Sequence, residues 1–204
     1  MKRLLMAGCM AAGLTAAAFA QGAPPVHVRG VIVSLDGNVL TVGAPIGSAT
    51  TKVTLAPNAR VQYIVKASLK DIVAGSYVGS AANLQTDGTL RAIEVHIFPP
   101  GQTPGAGSRD YDLGPASKMT NGNVDTIGTT KVDKVDARTI TVKYEGGEKS
   151  IIVPADTPIV TYAPADMSAL VKGARVNILA TRNADGSLSA PSVSVGKDGL
   201  IPPM

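Results

Sequence analysis

Tryptophan is absent from these 204 residues, and the other aromatics are five tyrosines and two phenylalanines. So sparse a set argues against the stacking platforms on which single-strand nucleic-acid binders hold successive bases. Cysteine occurs once, as Cys9. A single thiol excludes an internal disulfide and any multi-cysteine metal site. Basic charge is thin as well: Lys and Arg total 19 against 15 acids, without the dense basic cluster that a polyanion partner demands. Beyond the first twenty residues no apolar run approaches the roughly 20 residues of a membrane-crossing helix.

Catalytic signatures are missing too. There is no G-x-S-x-G, no H-E-x-x-H, no P-loop, and no G-x-G-x-x-G after a strand. The acid pairs Asp110 with Asp112 and Glu145 with Glu148 fall in expected loops, where paired acids are solvated. The expectation is a non-enzymatic protein without a cofactor.

What is present begins with a targeting segment over 1–20. Lys2 and Arg3 precede an apolar run from Leu4 to Phe19, and Ala18-Phe19-Ala20 has the small-x-small form of a cleavage site. Cleavage is expected after Ala20, which places the protein in the periplasm or outside the cell. A lipoprotein reading at Met6-Ala7-Gly8-Cys9 leaves a shorter apolar run than such signals use. With Lys2 and Arg3 removed, the excess of bases over acids falls from four to two.

The remainder is rich in Val, Ile, Thr, Gly and Pro, an all-β composition with many turns. It is also written twice. Residues 84–97 read LQTDGTLRAIEVHI, and 98 positions later the chain reads RNADGSLSAPSVSV. Val33 to Val42 aligns with Asp133 to Val142, Leu55 to Val61 with Val153 to Ile159, and Ile72 to Val78 with Leu170 to Val176. A period near one hundred is too long for a solenoid and indicates a duplicated domain. Each copy predicts a β-meander, one helical turn and a closing β-hairpin. Turns are expected at Asp36-Gly37-Asn38 and Asp136-Ala137-Arg138, with Ser68 capping the first helical turn and Gly75 ending it. This order suits an OB-like barrel of five strands, with a small sandwich as the alternative. The expected layout is a signal peptide (1–20), a first OB-like domain (21–98), a Pro/Gly-rich linker (99–123), a second OB-like domain (124–196) and a tail (197–204). Tyr111, Leu113 and Met119 are the linker residues able to pack on a barrel.

The stretches LRAIEVHIFPP, DLGPASKMTNG and VSVGKDGL, with the doubled DG-T/S-L turn, resemble a group of bacterial exported proteins of uncharacterised function built from tandem small OB-like β-barrel domains. That resemblance implies the fold and the compartment, and no reaction.

The best candidate for chemistry is a metal site. Glu94 and His96 are two apart on an expected strand and share one face. Ile93, Val95 and Ile97 are assigned to the core, so Glu94 and His96 are expected on the surface. His27 is a possible third ligand, and zinc, copper or nickel would each accept imidazole. The second copy has Ser192 and Ser194 at the matching positions, so such a site would be single. By elimination, the expected role is binding or adaptor work in the bacterial envelope, with an envelope protein or a small ligand as partner. Metal handling through His96, Glu94 and His27, or oligosaccharide binding, are the alternatives.

Overall fold

The alternating Val, Ile and Thr residues of both copies form strands, as the period-two pattern demands. The computed structural model describes residues 24–132 and 135–203; the expected signal peptide lies outside the described residues. Among the described residues twelve strands follow one another: β1 (Val26–Asp36), β2 (Val39–Gly43), β3 (Thr50–Lys66), β4 (Tyr77–Leu84), β5 (Leu90–Ile97), β6 (Gly107–Asp110), β7 (Ser117–Val132), β8 (Val135–Tyr144), β9 (Gly147–Pro154), β10 (Ile159–Pro164), β11 (Arg175–Arg182) and β12 (Leu188–Gly196). A single 3-10 turn precedes β4 and another precedes β11. In the first, the Asp71 carboxylate accepts from the Ser68 backbone N–H at 2.7 Å and from its hydroxyl at 2.8 Å. Gly75 then leaves the turn with φ of 85°, a conformation that favours glycine.

The pairing does not follow the sequence copies. β1, β2 and β3 form the expected meander, but β11 pairs with β1 and β12 pairs with β3. β11 and β12 pair with each other, so these five strands form a closed β-barrel. Its core mixes Ile32, Leu40, Val53 and Leu55 of the first copy with Val176, Ile178, Val193 and Val195 of the second. Reciprocally, the first copy's hairpin β4–β5 joins the second copy's meander. β4 pairs with β7 along seven positions, and β5 meets β9 at Leu90↔Ile151 and Arg91↔Ile152. Val78, Ala82, Leu90 and Val95 share a core there with Val124, Ile140, Val142 and Ile151. β10 bridges the two sets, antiparallel to the end of β3 and parallel to β5.

The domain boundaries expected at 98/99 and 123/124 are therefore corrected. Residues 21–98 do not close a barrel by themselves, because their last two strands complete the other meander. Past the meander β3 continues to Lys66, pairing with β12 as far as Ile64 and with β10 over Gln62–Lys66. The linker expected over 99–123 is also shorter: Gly107–Asp110 is strand β6, paired with β7, and β7 begins at Ser117. In the second copy the turn expected at 136–138 is strand, since Ala137 pairs with Thr130 and the hairpin closes at Val132↔Val135.

Gly30 and Gly122 mark the equivalence of the two meanders. A Cβ on Gly30 would lie 1.9 Å from the Gly43 carbonyl oxygen, and one on Gly122 would lie 2.2 Å from that of Lys143. Each glycine lets its first strand pass close over the end of the second.

Candidate functional site

The exchange places β1, β3, β11 and β12 opposite β7, β10 and the segment that follows β5. Between them lies a cleft of about 790 Å³, within the size range of small-molecule sites. Its walls include His27, Arg60, Gln62, Phe98, Arg109, Tyr111, Asn121, Tyr162 and Ser194.

Glu94 and His96 lie directly beneath this cleft. They do face away from Val95 and the core behind it, as strand alternation predicts. That face is not solvent, however: Glu94 is 0% exposed and His96 is 1%. The surface placement is thus corrected, and the reason is tertiary. β10 lies alongside β5, with Val160 opposite His96, and the chain after β5 folds back over the same face. Ile93 is corrected as well. The register slips between Ala81 and Ala82 where they face Glu94 and Ala92, leaving Ile93 outside the ladder. It packs with Ala81, Met119 and Tyr111, not in the core of Val95.

Three side chains form a line here. His96 Nε2 is 3.4 Å from Glu94 Oε2, and His96 Nδ1 is 2.7 Å from the Tyr162 hydroxyl. The His96–Tyr162 contact is a hydrogen bond, whereas the 3.4 Å approach to Glu94 leaves His96 Nε2 without a hydrogen-bond partner. Neither Glu94 oxygen has a hydrogen-bond partner, although both are buried. Burial, reinforced by the Glu94 charge, pushes the Tyr162 phenol well above the usual tyrosine range, so its hydroxyl stays neutral beside His96.

His27 sits on β1, edge-on to the Tyr111 ring at 5.4 Å between centroids. Burial and the neighbouring Arg29 guanidinium hold its pKa below the ordinary histidine value. Arg29 grips Asp112 through two hydrogen bonds of 2.8 Å and donates to the Tyr111 hydroxyl at 3.2 Å. This fork ties the connecting segment across the cleft and lowers the Asp112 pKa. Among the described residues, no three potential metal ligands converge. The structure joins Glu94 to His96 and leaves His27 on the cleft wall with Tyr111.

Several cleft residues carry no sequence motif: Arg60, Arg109, Tyr111, Asn121 and Tyr162. Tyr162 is one of the few strand aromatics and was visible as such. Arg60 and Arg109 are 49 positions apart in ordinary turn-rich sequence, and nothing local marks either. No family model matches the chain, and neither a curated protein nor a solved structure matches it significantly.

Proposed function

We propose that this is an exported, non-catalytic binding protein whose ligand sits in the cleft between the exchanged units. One observation carries the reading. Beyond the expected signal the chain has six aromatic residues, and Phe98, Tyr111 and Tyr162 line this single cleft. Phe98 and Tyr162 stack at 5.4 Å between centroids with 30° between planes, and Tyr77 meets Phe98 edge-on. A chain so poor in aromatics gathers them where a ligand would use them.

The strand order β1–β2–β3–β12–β11 supports an OB-like description of the barrel, with the exchanged hairpin as its last two strands. Strands β4, β5, β7, β8 and β9, closed through β5 and β9, are read as a second barrel of the same kind. Export to the periplasm or medium rests on Lys2, Arg3 and the apolar run behind them. The metal alternative is left with Glu94 and His96 as its only adjacent ligands. The oligosaccharide alternative gains from the aromatic cluster and the amide groups around it.

A thermal-shift screen of small polar compounds tests the reading. Chain 21–204 is compared with Ser194→Trp, whose indole fills the cleft. Compounds that raise the melting temperature of the unaltered chain should fail with Ser194→Trp. Equal responses from both proteins would place the ligand elsewhere.

A further inference from the structure

The charge of the cleft narrows the ligand class. Two acids line it, and each is neutralised: Asp112 by Arg29 and Asp110 by Lys118. Two arginines line it as well, and neither has an acid within ion-pair distance among the described residues. Arg60 is exposed. Arg109 donates only to the Gly105 carbonyl, at 3.2 Å. His27, kept neutral by burial, adds no charge. The Glu94 carboxylate lies below the floor, facing His96, and is not part of the lining. The wall therefore presents two guanidinium forks without counter-ions, the group best suited to a planar, two-oxygen acid.

The rest of the lining suits a hydroxylated ring. The stacked Phe98 and Tyr162 supply apolar surface. Gln62, whose amide donates to the Ser194 hydroxyl at 3.1 Å, and Gln102 supply amides that both donate and accept. Resting on the cleft reading above, we infer that the ligand is a sugar bearing an acid group. The ring lies against the aromatics, the hydroxyls meet the amides, and the acid is held by Arg60 and Arg109.

Calorimetry tests this with glucuronic acid and its oligomers, glucose phosphate, the neutral glucose counterparts, and glutarate as an acid without a ring. An acid-bearing sugar should bind chain 21–204 more tightly than its neutral counterpart and than glutarate. Arg60→Gln and Arg109→Gln should each weaken it about tenfold, the loss of one charge-assisted contact, and leave neutral sugars unaffected. Neutral sugars that bind as well, with no effect of either arginine change, would overturn the acid assignment. Glutarate binding as tightly as the sugar acids would overturn the ring assignment. No binding of any acidic sugar at millimolar concentration would overturn the inference outright. The Ser194→Trp chain separates the levels: a neutral ligand lost on that change leaves the cleft reading standing, whereas binding that survives it removes both.

Discussion

The hydroxyl of Tyr162 lies 2.7 Å from Nδ1 of His96, and this one contact joins a strand of each sequence copy. Tyr162 is on β10 and His96 on β5, two strands that pair in parallel. Tyr162→Phe keeps the ring against Phe98 and removes only the hydroxyl. The His96 nitrogen is then buried without a donor, which should lower stability by about 1–3 kcal/mol. Urea unfolding measures this, and a change within error would mean that the bond contributes nothing net.

Glu94 and His96 should behave as a coupled unit. Removing one partner of a buried pair strands the other, whereas replacing both by apolar groups relieves the desolvation. Glu94→Leu and His96→Leu should each destabilise. The double variant should lose less than the two single losses combined, by about 1 kcal/mol or more. Additive losses would show that the 3.4 Å approach carries no interaction.

The exchanged hairpins make the halves interdependent. Fragments 21–104 and 105–204, each expressed alone, lack the two strands that close their meander. Each should show poorly dispersed NMR spectra and aggregate through its open edges. Mixed or co-expressed, they should assemble into one complex with the spectrum of the whole chain. A cooperatively folded single fragment would show that its own hairpin closes its meander, and would overturn the interdependence of the halves.

Gly30→Ala and Gly122→Ala should each be destabilising by roughly 1–3 kcal/mol, since their Cβ atoms meet a backbone carbonyl. Gly128→Ala is the control on the same β7 strand. Its Cβ finds only the Thr139 oxygen, at 4.0 Å, and the change should be mild. Thermal melts of the three variants decide the matter.

His27 links stability to pH. Its pKa in the folded chain is depressed by burial first and by Arg29 second. The unfolded chain therefore takes up the proton at higher pH than the folded one. The stability it contributes is present above the unfolded value, about 6.5, and is lost as pH falls from there through the folded pKa. An NMR titration should place the His27 midpoint below that of a histidine peptide. His27→Gln should flatten the corresponding part of the stability–pH curve.

Much of the local structure was legible in the chain. Strand alternation, the capped turn at Ser68 and the Asp-Gly hairpins are short-range features, set by steric and hydrogen-bonding preferences within a few residues. The shared face of Glu94 and His96 was legible for the same reason. Its burial was not, because Tyr162, 66 positions along the sequence, packs against His96 there together with Phe98. Aligning Asp36-Gly37 with Asp136-Ala137 also misled, since the second hairpin is longer and closes at Val132↔Val135.

The sequence alone determined that this is an all-β chain, because a period-two pattern and its turns recur along it. It could not say which hairpin closes which meander. Strand alternation and turn chemistry act within a few residues, so they do not select between the two hairpins as the closure of a meander. Only the tertiary structure decided for exchange, through the pairing of β11 with β1, of β12 with β3 and of β4 with β7. That choice also built the cleft, since Arg60, Arg109 and Tyr162 share one wall system only when strands from both copies interleave.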